Sequence, residues 1–493
     1  MRAVLLLCLM LAPLAWGADI QSKIGQLIAG SPALSGAFVG LEVLNLSDGK
    51  ILYQLNSDHL FVPASNMKLF TSALALERLG PEYRFRTEVR ADRPVDAKGT
   101  LAGDLVFVGG GDPSLSGRSY PYRYRAGSTP GADYSFRAVE ELAGQLVSRG
   151  LKRVDGDIVG DDRRYVWEPH AGVWSTGDAT WDYGAPVSAL IVDDNSLAVT
   201  LVPAASAGEL AQVRVSPAFE YFSIDNRVRT VEGGERKVEF ERQSGRQLHI
   251  WGTLPIADPG VTQLLAVDDP ALYAAEVLRD ALQRRGVAIR GRAFARHRFS
   301  DDGEAAAPSQ ARVILAERTS PPLAELLEVL DKESQNLHAE VMLREVGFVK
   351  KHAGSRETGL AEMREFLENE AGIPKDSFLF TDGSGVSRST LVKPEAIAGL
   401  LAYMYKSSHR ELWMSLLPIA GADGTLAKRF EDRPEARAIH AKTGTLAHVR
   451  AISGYVTAPQ RDPLGFSLLV NNYDAPAAEI TRALDRIVLA LLE

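Results

Sequence analysis

Strand-like alternation stands at both ends of this chain and is interrupted in between, which limits what the chain can fold into. Ala37 to Leu46 and Ile51 to Leu55 alternate apolar and polar residues about Asp48-Gly49, the pattern of a hairpin. Ala438 to Thr443, Val449 to Val456 and Phe466 to Asn471 are strand-like again, ahead of an amphipathic helix over Ala475 to Leu492. From about residue 90 to 290 short β-rich runs (Leu105 to Val108, Leu197 to Val202, Gln212 to Val215, Gln247 to Trp251) alternate with Gly, Pro and Asp clusters. Beyond residue 320, helices are expected over Leu323 to Asp331, Leu337 to Lys351, Leu360 to Glu368 and Lys393 to Tyr405. A sheet assembled from both ends, with helices mainly from the second half, is an α+β layout broken by a large insertion. At 493 residues two or three domains are expected.

The first residues read as a secretory signal over 1–17. Arg2 supplies the positive charge, Ala3 to Leu14 an apolar run too short to span a bilayer comfortably, and Ala15 and Gly17 the small residues before a cut at Ala18. An uncleaved anchor is the alternative. The single cysteine, Cys8, lies inside this segment, so the mature chain has no disulfide and no thiolate metal site. Leu7 precedes it where a lipid-modification site wants a small residue. The expected location is therefore the periplasm or another extracytoplasmic cell-wall space, with no stable membrane span. A net charge of −8 argues against a general nucleic-acid binder. The nine histidines lack zinc-site spacing, and no metal or organic cofactor is implied.

Two serines have a lysine three residues on. Ser47 and Lys50 flank Asp48-Gly49 in the expected hairpin turn, where such residues are ordinary. Ser65 and Lys68 stand at the start of a helical run, Asn66 to Leu79, capped by Gly80, so their side chains share a face beside oriented backbone N–H groups. Alone, the pair is equally an N-cap serine with a solvated lysine behind it. A serine hydroxyl becomes a good nucleophile only when a base takes its proton. Lysine can be that base when desolvation or a second cation lowers its pKa. Lys442-Thr443-Gly444-Thr445, on an expected strand, supplies that cation. Lys442 can also hold a substrate carboxylate, Thr443 and Thr445 offer hydroxyls, and Gly444 lets a substrate backbone lie close. The Thr445 and Ser65 N–H groups could form an oxyanion hole. Ser334-Gln335-Asn336 falls between two helices: Ser334 could relay a proton to the leaving amine and Asn336 could orient Lys68. Singly, these motifs read as an edge-strand lysine and a helix cap.

In the order Ser-x-x-Lys, Ser-x-Asn, Lys-Thr-Gly, each in matching local structure, they match the set of β-lactamases and penicillin-binding proteins. The whole mature chain resembles the low-molecular-mass class C penicillin-binding proteins, which are D-alanyl-D-alanine carboxypeptidase/endopeptidases. Longer runs carry the resemblance: Gly109-Gly110-Gly111-Asp112-Pro113-Ser114-Leu115, Asp382-Gly383-Ser384-Gly385-Val386-Ser387-Arg388, and Ala420-Gly421-Ala422-Asp423-Gly424-Thr425-Leu426. It implies a transpeptidase-like (serine β-lactamase-like) catalytic domain from 18–92 and 293–493. It further implies an inserted β-rich domain from 93–113 and 191–292, and a third domain, 114–190, nested within that one. It implies acylation of Ser65 by peptidoglycan stem peptides ending in D-Ala-D-Ala, deacylation by water, and inhibition by β-lactams at the same serine. Arg388 falls where family members bind the substrate's diamino acid, and Asp178, after Trp174-Ser175-Thr176, is its loosely aligned acidic counterpart.

Three rivals remain. A β-lactamase or esterase would use the same machinery, but Ser334 and the long insertion favour a peptidase. A catalytically silent wall-binding protein would not need a nucleophile–base pair. A high-mass transpeptidase would carry its serine later in the chain. Whether a terminal D-Ala is trimmed or a crosslink cut stays open. The triple glycine invites a phosphate-loop reading, yet no Lys-Ser/Thr follows it.

Overall fold

The computed structural model describes residues 12–125, 131, 134–171, 174–243, 245–302, 313–459 and 461–493. Cys8 and most of the expected signal lie outside them. The chain divides into two compact units. One takes the N-terminal stretch up to Arg78, Leu327–Ala339 and Leu360–Glu493; the other takes Leu79–Leu326 and Glu340–Gly359.

The first unit is built on a five-stranded antiparallel sheet drawn from both chain ends. Its strands are β1 (Phe38–Asn45), β2 (Ile51–Leu55), β3 (Ile439–Leu446), β4 (Val449–Val456) and β5 (Leu464–Asn471), in the order β3-β4-β5-β1-β2. The expected hairpin is present, with Leu41 opposite Leu55, and β1 pairs along its length with β5 from Phe38↔Asn471 to Asn45↔Leu464. Residues of β1, β4 and β5 are almost wholly buried, because helices cover both faces. On one face helix α1 (Ala12–Ala29) and the C-terminal helix α6 (Ala477–Ala490) close a core around Ile24, Val43, Ile452, Phe466, Ile480 and Ile487. Helix α5 (Pro394–Lys406) packs on β1 and β5, and a Cβ on Gly40 would come within 2.5 Å of the Phe61 ring and 2.8 Å of Pro394. Three further helices carry residues of the site described below: α2 (Met67–Leu79), α3 (Leu323–Lys332) and α4 (Asn336–Lys351). Gly80 follows α2 at φ +82°, the left-handed value expected of a helix stop.

The second unit holds the remaining larger sheets. The largest runs Ala293–Arg298, Ile158–Val166, Leu105–Val108, Arg86–Ala91, Val313–Thr319. The expected domain limits at 92 and 293 thus bracket strands, Arg86–Ala91 and Ala293–Arg298, that both belong to this sheet. The stretch read as β-rich also contains two helices, Arg137–Ser148 and Pro270–Arg284. The second is announced by Asp269, whose carboxylate accepts from Leu272 N at 2.9 Å, and by Pro270 at its first position. The triple glycine serves packing: a Cβ on Gly110 would lie 1.8 Å from Arg86 O, and one on Gly111 2.0 Å from the Tyr165 hydroxyl. Asp112 accepts from Ser114 N at 2.8 Å and from Arg318 at 3.0 Å, which leaves nothing of a phosphate cradle.

Candidate active site

Ser65 sits in a short 3₁₀ turn, Ala64–Asn66, that runs straight into α2. Ala64 before it has φ +48°, a left-handed value that a β-carbon disfavours, so surrounding contacts must hold it. They are visible. A Cβ on Gly444 would come within 2.6 Å of Pro63 O and 3.2 Å of the Ala64 Cβ, and one on Gly385 (φ +81°) within 1.9 Å of Ala64 O. Both glycines therefore let their segments close onto the Ser65 turn. For Gly444 this is a reason the sequence did not suggest, because the backbone that approaches it belongs to the protein. Asn66 anchors the turn to the sheet, donating to Ser453 Oγ at 2.7 Å. Ser65 itself is half-buried between buried neighbours.

Lys68, one helical turn on, is fully buried. Its Nζ donates to Ser65 Oγ at 3.0 Å, to Asn336 Oδ1 at 2.6 Å and to the Ser384 carbonyl at 2.7 Å. Asn336 begins α4, and Ser334 before it adopts φ +61° in the tight link from α3. Lys442, on the outermost strand β3, is also fully buried and donates to Ser334 Oγ at 2.8 Å and to the Thr443 carbonyl at 3.1 Å. Burial pushes the Lys442 ammonium down to about 8, against the pull of the Asp331 carboxylate. Ser65, Lys68, Ser334, Asn336 and Lys442 are thus all placed within the first unit, in two hydrogen-bonded groups joined by the short Ser334–Asn336 link. Ser47 and Lys50 do not join them: Ser47 Oγ donates to Asp462 at 3.0 Å in the exposed hairpin turn.

The Asp382-Gly383-Ser384-Gly385 run forms a knot around a buried carboxylate. Asp382 accepts from Gly385 N at 3.2 Å, Ser387 N at 2.7 Å and Thr390 Oγ1 at 2.8 Å. The knot presents two carbonyls to α2: Gly383 O takes the Thr71 hydroxyl at 2.6 Å and Ser384 O takes Lys68. Arg388 follows, exposed, and donates to Ala447 O at 2.7 Å in the turn after β3. Asp178 belongs to the second unit, where it accepts from Ser175 N at 3.1 Å and closes a capping box on its own 3₁₀ turn, Thr176–Thr180. Thr443 Oγ1 donates to Thr425 at 2.7 Å, and Thr445 is exposed on the open edge of the sheet.

Asp331 had no sequence signal. It lies at the end of α3, fully buried, and among the described residues neither carboxylate oxygen has a hydrogen-bond partner. Burial raises its pKa to about 7, with Lys442, Lys68 and Lys332 pulling the other way. Ser72, beside it, spends its proton on Lys68 O at 2.7 Å. Lys332 is held apart, on Asp423 and on the Leu417 carbonyl, each at 2.7 Å.

The chain matches the D-Ala-D-Ala carboxypeptidase 3 (S13) family over residues 20–491. A D-alanyl-D-alanine carboxypeptidase of an Actinomadura species is 33% identical over 461 residues, covering 90% of this chain and 80% of that protein. The D-alanyl-D-alanine carboxypeptidase DacB of Haemophilus influenzae is 26% identical over 444 residues, 89% of this chain and 86% of that one. The crystal structure of penicillin binding protein 4 from Haemophilus influenzae shares the fold, with a TM-score of 0.81 over 96% of this chain and 99% of that chain at 23% identity. The α+β architecture and the sequence define a low-molecular-mass class C penicillin-binding protein. The chain belongs to the D-Ala-D-Ala carboxypeptidase 3 (S13) family, and it is a serine carboxypeptidase, a hydrolase.

Proposed function

We propose that the protein cleaves D-Ala-D-Ala termini of peptidoglycan stem peptides through an acyl-enzyme on Ser65, with Lys68 as general base. One observation carries the reading: the partners of Lys68 are unequal. Asn336 Oδ1 and Ser384 O can only accept, so they claim two N–H bonds of the amine. When Lys68 is neutral, the remaining direction, toward Ser65 Oγ at 3.0 Å, holds the lone pair. The base is aimed before substrate arrives, which is the geometry a general base requires.

Attack by Ser65 Oγ on the penultimate D-Ala carbonyl gives a tetrahedral oxyanion, received by the Ser65 and Thr445 N–H groups. The proton moves from Ser65 to Lys68. Ser334 Oγ gives its proton to the departing amine and is refilled from the Lys442 ammonium that donates to it, and exchange with solvent returns Lys68 to its neutral form and Lys442 to its charged one before water attacks. Water then releases the acyl group by the reverse route. A crosslink offers the same acyl donor with a larger leaving amine. Penicillins would acylate Ser65 in the same way, and the N-terminal segment suits export to the cell-wall space where the substrate lies. The Arg388 guanidinium, beside the turn after β3, is the candidate for the stem peptide's diamino acid.

The direct test is D-Ala release from an N-acylated peptide ending in D-Ala-D-Ala. The wild type should release it and Ser65→Ala should not. Release at an unchanged rate by Ser65→Ala would refute the assignment.

A further inference from the structure

In the second unit, Gln247–Pro255 is the middle strand of a three-stranded sheet, between Ser223–Val231 and Lys237–Arg242. One face of that sheet closes a small core, where Val228, Ile250 and Leu254 meet Val199, Leu201 and Leu265. Alternation along the strands sends the odd-numbered residues to the other face, toward solvent. Of the described residues on these strands, Trp251 alone is a large apolar side chain left exposed, at 37%. It stands in the middle of the sheet, with Arg227 directly opposite on one side and Glu239 on the other.

The surroundings of this indole are fixed. His249, two residues back, stacks on it with ring centroids 4.9 Å apart and planes 22° from parallel. Asp225 lies opposite His249, meets its Nδ1 at 3.0 Å and accepts from Arg227 at 2.8 Å. One carboxylate thereby holds two of the indole's neighbours in place. The charges on this face balance: Asp225, Glu239 and Glu241 are matched by Arg227, Arg229 and Lys237. A lone exposed aliphatic residue needs no explanation, whereas an aromatic ring set among locked hydrogen-bonding groups is a pre-organised contact surface. Its balance of charge suits a neutral ligand and offers a nucleic acid or an anionic lipid surface no net attraction.

We propose that this face binds the glycan strand of peptidoglycan, a β-1,4-linked amino-sugar chain, with a pyranose ring laid against Trp251. The choice of polymer rests on the substrate reading above. In a β-1,4-linked chain the ring substituents are equatorial, so each ring presents an apolar face of axial C–H bonds. Those weakly positive hydrogens meet the exposed π-surface of the indole. Hydroxyl and acetamido groups at the ring edge find a donor in Arg227 and an acceptor in Glu239, which flank it. Such a contact is weak alone, but on a polymer it raises the local concentration of the stem peptides attached to the same strand.

The test titrates the full protein with a β-1,4-linked N-acetylglucosamine hexamer. The wild type should bind it. Trp251→Ala should bind roughly 5- to 10-fold more weakly, as expected for removing an aromatic platform from beneath a ring, and Trp251→Phe should keep part of the difference. A thermal melt confirms that both variants fold. An α-1,4-linked glucose hexamer, which coils instead of lying flat, should bind more weakly than the amino sugar. No binding by the wild type at millimolar sugar, undiminished binding by Trp251→Ala, or equal binding of the two hexamers overturns the proposal. D-Ala release from a sugar-free peptide is a separate reading: its absence in the wild type would overturn the acyl-enzyme assignment, while the titration still decides whether this face holds a glycan.

Discussion

Replacing Asp331 with asparagine should change how the stability of the protein depends on pH. In an unfolded chain this carboxyl ionises near 3.8; in the folded state burial raises it to about 7. A folded protein whose acid has a raised pKa binds more protons than the unfolded chain between those two values. Stability therefore falls as pH rises through that window, and the contribution is complete only below the unfolded pKa. At about 1.4 kcal/mol per pH unit, the window amounts to roughly 4 kcal/mol. An asparagine at this position cannot ionise, and Lys442, without the carboxylate opposite, gives up its proton more readily, which adds in the same direction. The assay is thermal or urea unfolding of wild type and Asp331→Asn from pH 4.5 to about 7.5, which spans most of that window. The two should be closest in the acid and should diverge in favour of the variant as pH rises. Curves that stay parallel across the window would refute the claim that burial outweighs the neighbouring ammonium groups at this carboxyl.

Other substitutions probe the site directly. Lys68→Ala should abolish acylation by penicillin while leaving a cooperative melt, and acylation at the wild-type rate would remove Lys68 as the base. Gly385→Ala places a Cβ 1.9 Å from Ala64 O at a residue of φ +81°, so the Ser65 turn must shift. A displacement on the order of 1 Å costs about 100-fold in rate, and stopped-flow acylation should show a loss of that order, whereas an unchanged rate would mean the loop does not position Ser65.

Much of this arrangement was legible in the sequence, because local chemistry announces it. Alternation about Asp48-Gly49 marks the β1–β2 hairpin, and Gly80 marks the end of α2. The three short motifs could be placed on a helix start, an interhelical link and a strand without any tertiary information. What escaped depends on packing. The helix Arg137–Ser148 has no capping hydrogen bond at its start, and its N-cap, Phe136, is left-handed at φ +54°. The helix Pro270–Arg284 did carry a start signal in Asp269-Pro270, but its buried face sets four alanines among Tyr273, Val277, Leu278 and Leu282, which thins the apolar stripe. Asp331 looks like any helix-end aspartate until the fold buries it. Gly444 is visible in the sequence as part of Lys-Thr-Gly, but the close approach of Pro63 and Ala64 to it exists only in the fold.

The central claim is that Ser65 carries the acyl group. Intact-mass measurement of the mature protein after incubation with a penicillin, followed by peptide mapping, tests it most directly. The account predicts one adduct, located on the peptide that contains Ser65 and absent from Ser65→Ala. An adduct mapped to any other residue, or one that survives in Ser65→Ala, would contradict it.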